Sequence, residues 1–301
     1  MTFRDDSDID GGNVSAGGGG FGGGGFPTGA VLGGGGGIGA IVIAVIIYLV
    51  TNSAGAHNAP NTGTADGFSA AQQQLETQLA ACRTGTDANK STACRIKGTV
   101  NSLNAVWPQL IRGYTPPQGV KIMPHGATAI DTACGVASAD TGPFYCPRDR
   151  TAYFQLDFMD TVIAKMGGSN KSFSQEYIVA HEFGHHVQNL LGDIGRAQQG
   201  AHGAQGGSVR VELQADCYAG VWAAHADKGA NALLEPLTRG RIQEAITTAK
   251  AIGDDTIEEN AGQTVDQDAW THGSSAQRVK WFSTGYSSGD PKRCNTFAGA
   301  I

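Results

Sequence analysis

The chain predicts an α+β fold with a small sheet and several helices, preceded by one transmembrane helix. Three observations predict it. Two short runs rich in β-branched and aromatic residues come before most of the helical segments. Apolar residues then recur at helical spacing through the C-terminal half, and an uninterrupted apolar run stands near the N-terminus.

In chain order, residues 1–30 read as a disordered, Gly-rich acidic tail. Arg4 stands against Asp5, Asp6, Asp8 and Asp10, and glycine runs follow. Residues 31–50 read as a transmembrane anchor. The apolar run 38–50 is short for a span, and counting back to Val31 reaches the roughly 20 residues a bilayer needs. A cleaved signal peptide ending near Ala54-Gly55-Ala56 competes, but the stretch ahead is acidic and too long. Residues 51–67 read as a flexible linker, and 68–301 as one domain able to bury its own core. Within it, 69–82 and 92–112 read as helices, the second burying Val100, Leu103, Val106 and Leu110. Segments 120–123 and 153–158 read as strands. The second alternates Tyr153, Gln155 and Asp157 with Phe154, Leu156 and Phe158, the pattern of a half-buried sheet edge lining a cleft. Helices follow at 173–191, 208–227, 238–251 and 274–286.

The helix at 173–191 carries the most informative residues. Ser172 with Gln175 forms a capping-box pattern, Gly192 supplies a stop, and His181-Glu182-x-x-His185 lies between them. Residues four apart share a helix face, so His181 and His185 aim their imidazoles at a common point, as zinc requires. Glu182 beside them can take a proton from water activated by the metal. The bland alternative, two histidines merely hydrogen-bonded in a core, leaves Glu182 as an unpaired buried charge.

Catalytic zinc takes three protein ligands and keeps one position open. The positions seven and ten after His181 hold Gln188 and Leu191, so an extended three-histidine pattern fails. Glu212 and Asp216, four apart on the next helix, are the better source. Glu212 ligates, and Asp216 accepts the other ring N–H of a ligand histidine. The reverse assignment and Cys217 remain open, as does a merely solvated acidic pair.

The strings HEFGHHVQ (181–188), ELQADCYAGVWA (212–223), THGSSAQRVKWFSTGY (271–286) and CGVASADTGPFYCP (134–147) resemble the bacterial neutral zinc metallopeptidase family, a group of membrane-anchored, zincin-like proteins. The similarity covers roughly 66–298. It implies a zincin-like α+β domain with zinc on His181, His185 and Glu212 and with Glu182 as general base. No substrate is implied.

Peptide hydrolysis also needs a donor for the developing oxyanion. His272, just ahead of a helix capped by Ser274 or Ser275, is the candidate. Tyr145, Tyr153 and Tyr218 are alternatives, and a loop or capping role is the plainer reading. His186 reads as packing, and Arg278 as the partner of an acidic group or of a substrate carboxylate.

Six cysteines without a C-x-x-C pattern point to disulfides and an oxidising compartment. Cys82 with Cys94 and Cys134 with Cys146 are each twelve apart, which leaves Cys217 for Cys294. The expected placement is therefore a single-pass membrane protein with its C-terminal domain outside the cytoplasm. Net charge is −6 without basic clusters, which excludes nucleic acid as a partner. Two function classes stand: a membrane-anchored zinc endopeptidase acting on protein or peptide substrates, and a non-catalytic, zinc-stabilised binding or scaffold domain.

Overall fold

Strands β2 (Gly119–Met123) and β6 (Thr151–Gln155) pair in parallel at the centre of a four-stranded sheet. The computed structural model describes residues 2–17, 65–138, 141–198, 203–230 and 232–301. The sheet order is β1-β2-β6-β5, with β1 (Val14–Ala16) parallel to β2 and β5 (Phe144–Cys146) antiparallel to β6. A hairpin of β3 (Ala129–Thr132) and β4 (Gly135–Ser138) forms a second small sheet. Helices α1 (Ala65–Ala81), α2 (Gly85–Lys90) and α3 (Thr92–Leu110) precede β2. Helices α4 (Ser172–Leu191), α5 (Gly207–His225), α6 (Arg239–Ala251), α7 (Asp254–Asn260) and α8 (Ser275–Ser288) follow the sheet. The α+β expectation describes this body.

The half-buried edge expected at 153–158 is corrected. All five residues of β6 are buried, because it is a central strand covered on both faces. Ala152 and Phe154 enter the helical core, while Tyr153 joins Met123, Ile130, Ala137 and Phe144 in a separate apolar cluster. The strand also stops at Gln155, and the chain winds into a π-helical turn at Phe158–Val162. The edge strands of the sheet are β1 and β5, and β5 is buried as well.

Helix α4 lacks the expected capping box. Lys171 is the N-cap and Ser172 is already helical. Gln175 is drawn inward instead, where its Oε1 accepts from Arg95 (2.5 Å) and its amide donates to the Met159 carbonyl (2.8 Å). The C-terminal stop is as expected, with Gly192 at φ 81°. Ser274 caps α8 in a full capping box with Gln277. All three cysteine pairs form as the spacing suggested: Cys82–Cys94, Cys134–Cys146 and Cys217–Cys294.

The N-terminal tail needs the largest correction. Residues 2–17 are folded onto the domain, with Phe3 and Ile9 buried in the main core. Phe3 lies on Gly98, where a Cβ would come within 2.9 Å of its ring. Backbone groups complete the attachment: the Arg4 N–H donates to the Leu233 carbonyl (2.9 Å) and the Ile9 N–H to that of Arg83 (2.9 Å). The Asn89 side chain clasps both Phe3 backbone groups. Composition missed this because two apolar residues and a row of backbone hydrogen bonds anchor the segment.

The transmembrane and single-pass expectations are corrected too. Among the described residues no helix is long and apolar enough to cross a membrane. Residues 31–50 lie outside the described ones, as does the linker expected at 51–67 up to residue 64; α1 begins at Ala65. A single crossing at 31–50 would place β1 and β2 on opposite sides of a bilayer, yet the two strands are hydrogen-bonded neighbours. The membrane anchor and the single-pass placement are therefore without support among the described residues.

Candidate metal centre

Helices α4 and α5 touch backbone to backbone at one point, and the site is built there. A Cβ on Gly184 would lie 2.8 Å from the Ala215 carbonyl oxygen, so only glycine allows this approach. The contact brings the His181 and His185 face of α4 against the Glu212 and Asp216 face of α5. On its other side α5 is seated on α8 by two more glycines: a Cβ on Gly220 would meet the Phe282 carbonyl, and one on Gly285 that of Cys217. The Cys217–Cys294 disulfide fixes the same helix to the C-terminal segment.

His181 and His185 stand edge to face, with ring centroids 4.8 Å apart. Glu212 reaches both: its Oε2 lies 3.2 Å from His181 Nε2 and its Oε1 3.4 Å from His185 Nε2. Among the described residues these three form the one group of His, Cys, Asp and Glu donors close enough to share an ion. All three are buried, at 6%, 7% and 2% exposure.

Each imidazole is held from behind through Nδ1. His181 Nδ1 donates to Asp216 Oδ1 (2.9 Å), which also accepts from Tyr177 Oη (2.5 Å) and Arg278 Nη2 (3.0 Å). The Arg278 guanidinium pairs with both oxygens of Asp216, its Nε lying 3.0 Å from Oδ2. His185 Nδ1 donates to the amide oxygen of Gln188 (2.8 Å). With both Nδ1 atoms committed, both Nε2 atoms face Glu212.

Electrostatics follow from burial and pairing. Burial opposes protonation of His181, but Asp216 and Glu212 outweigh it and raise its pKa to about 10. His185 is likewise raised against burial by Glu212. Burial works to raise Glu212 and Asp216, yet the histidines hold Glu212 far below the usual carboxylate range, and Arg278 with His181 lowers Asp216. Glu182, one residue from His181, is 3% exposed, and burial raises its carboxyl against the pull of both histidines. Two imidazole nitrogens and one carboxylate, prearranged and short of a fourth protein donor, suit zinc that keeps an open position.

The remaining candidates fall elsewhere. Asp216 supports His181 and lies outside the group of three, and Cys217 is spent in its disulfide. His272 lies outside the group as well and is 1% exposed. Its Nδ1 pairs with Asp254 Oδ1 (2.8 Å), and its Nε2 has no partner among the described residues. Asp254 also accepts the backbone N–H groups of Thr271, His272 and Gly273, so it shapes the whole turn. Tyr145 bonds His186 Nδ1 (3.0 Å), Tyr153 donates to Asp149 (2.8 Å), and Tyr218 stacks edge-on to Trp107. His186 Nε2 meets the Thr115 carbonyl (2.7 Å), consistent with packing. Sequence reasoning missed Tyr177, Gln188, Gly184 and Asp254. Gln188 and Tyr177 carried a hint, standing three residues after His185 and four before His181, hence on the same face of the helix.

Residues 2–297 match the family described as "Putative neutral zinc metallopeptidase". The chain belongs to that family. Zinc is therefore its metal, membership supports peptidase activity in general, and the substrate is a protein or peptide. Its relatives include the uncharacterized protein Rv2575 of Mycobacterium tuberculosis, 50% identical over 242 residues, covering 76% of this chain and 81% of the relative. Mb2605 of Mycobacterium bovis matches to the same extent. The uncharacterized protein YpfJ of Escherichia coli K12 is 38% identical over 261 residues, covering 85% and 87% of the two chains. No solved structure matches the chain.

Proposed function

We propose that this metallopeptidase cleaves internal peptide bonds, with His181, His185 and Glu212 holding zinc and Glu182 as the general base. The observation that carries the reading is the reach of one α5 carboxylate to both imidazoles of α4, beside a buried glutamate. When bound, zinc supplies a Lewis acid that polarises the scissile carbonyl and acidifies water. Glu182 takes the proton from the attacking water and returns it to the leaving amine; its raised pKa suits both transfers. Asp216 keeps His181 in the tautomer that presents Nε2, and Gln188 does the same for His185. His272, held at Nδ1 by Asp254 and with Nε2 free of partners among the described residues, is the donor to the developing oxyanion.

Metal content and cleavage of a peptide library test this together. Zinc is expected at one per chain in wild type and in Glu182→Gln. Glu182→Gln is expected to lose about 10²–10⁴-fold in kcat/KM. Equal cleavage by both proteins removes Glu182 from the mechanism. Zinc bound without cleavage by either favours a scaffold role.

A further inference from the structure

The three hydrogen-bonded amides and acids behind His185 lead out of the metal centre to a second cavity. Gln188 Nε2 donates to Gln214 Oε1 (3.0 Å), and Gln214 Nε2 donates to Asp193 Oδ2 (3.2 Å). Asp193 Oδ1 in turn pairs with Arg196 (3.2 Å). Gln214, Asp193 and Arg196 all line a cavity of about 520 Å³ at the C-terminal ends of α3 and α4 and beside the middle of α5. Gln214 and Tyr218 lie about 200° and 240° around α5 from Glu212, so this cavity is on the opposite side of the helix from the zinc ligands.

Its chemistry is mixed in a specific way. Leu110, Ile111, Leu191 and Tyr218 give it an apolar wall, and Leu191 is 49% exposed there. Arg112 and Lys292 stand on its rim, and neither has an ion-pair partner among the described residues. Arg196 is already shared between Asp193 and the Phe297 ring, 3.7 Å from its centroid. Asn295 adds an amide group that can pair with a peptide backbone. An apolar wall, free cations and an amide partner complement an apolar residue that carries an anion. The size fits a short segment and exceeds what a lone inorganic ion fills.

We propose that this cavity binds a peptide C-terminus: its α-carboxylate on Arg112 and Lys292, its last apolar side chain against Leu191 and Tyr218. Occupancy is read at the metal centre. The carboxylate, held in the cavity that Arg196 also lines, competes with Asp193 for that guanidinium, and Asp193 then accepts more strongly from Gln214. Cooperativity along the two amides strengthens the acceptor on His185 Nδ1 and makes that imidazole a better zinc ligand. Every peptidase product carries a new C-terminus, so under the proposed function the cavity is a product sensor; the binding itself does not depend on turnover.

The test uses zinc-loaded Glu182→Gln protein and an N-terminally labelled Ala-Ala-Phe-Leu peptide, read by fluorescence anisotropy. The free acid is expected to bind at least ten-fold tighter than its C-terminal amide. The double variant Arg112→Gln with Lys292→Gln, altered only at exposed positions, is expected to lose at least ten-fold. Saturating peptide is expected to raise zinc affinity about five-fold in a chelator competition, and Gln214→Leu to abolish that gain. Absent binding, equal affinity for acid and amide, or binding undiminished in the double variant overturns the cavity assignment. Unchanged zinc affinity overturns the relay. Neither readout needs catalysis, so a failed peptidase assay and a failed cavity are told apart.

Discussion

At the scale of residues, helix α4 carries two buried glutamates whose surroundings assign them different tasks. Glu182 sits beside two histidines, whereas Glu176, in the first turns of α4, is sealed away from solvent. Neither oxygen of Glu176 has a hydrogen-bond partner among the described residues. Burial raises its pKa from 4.5 to about 8, against the nearby Thr2 hydroxyl and attraction to Arg95 and Arg241. A carboxyl raised in the fold is stabilising when protonated. Its contribution is full below pH 4.5 and is lost as pH climbs to about 8. Glu176→Gln should therefore be more stable than wild type by about 3 kcal/mol at pH 8.5, with the gap closing toward pH 5. Urea midpoints of the zinc-free proteins at the two pH values measure it, and a gap that does not change with pH refutes it. The same logic separates what was readable from what was not. His181, Glu182, His185 and Glu212 were legible because helical spacing fixes which side chains share a face. The depth of Glu176 and the partners of His272 depend on neighbours distant in sequence.

At the scale of elements, glycines set how close the helices come. Gly184 occupies an unspecified position of the His-Glu-x-x-His pattern, so nothing in the motif marked it. It nonetheless decides whether α5 can deliver Glu212. Gly184→Ala should push α4 and α5 apart, cost about 1–3 kcal/mol and weaken zinc binding. Thermal melting with and without zinc gives both effects, and a variant with wild-type zinc affinity shows the contact to be dispensable. Helix positions and the αL stop at Gly192 followed from periodicity and turn chemistry. Strand β6 did not. Its alternation looked half-buried because the sequence does not reveal that the β3–β4 hairpin supplies a second apolar cluster, in which Tyr153 sits. The missing capping box at Ser172 has a similar cause, since Gln175 serves a buried contact with Arg95 in place of the helix terminus.

At the scale of the whole molecule, the domain closes only with its N-terminal segment in place. β1 extends the sheet at one edge, and Phe3 fills the space that Gly98 and Ala88 leave open. Phe3→Ala in the full chain should cost about 3–5 kcal/mol, as for a buried aromatic, read by urea denaturation. A change under 1 kcal/mol would mean that the segment rests on the surface without holding it. Low apolar content hid this contribution, because a strand added at a sheet edge is held largely by backbone groups that composition does not record. The central claim is likewise a joining of distant parts: α4 and α5 supply one zinc site, with Glu212 as ligand and Asp216 as support. Zinc affinity of Glu212→Ala against Asp216→Ala, in a chelator competition, tests it most directly. Loss of stoichiometric zinc in Glu212→Ala, with a 10–100-fold weakening in Asp216→Ala, is the predicted result. Stoichiometric zinc retained in Glu212→Ala, or a larger loss in Asp216→Ala, would contradict it.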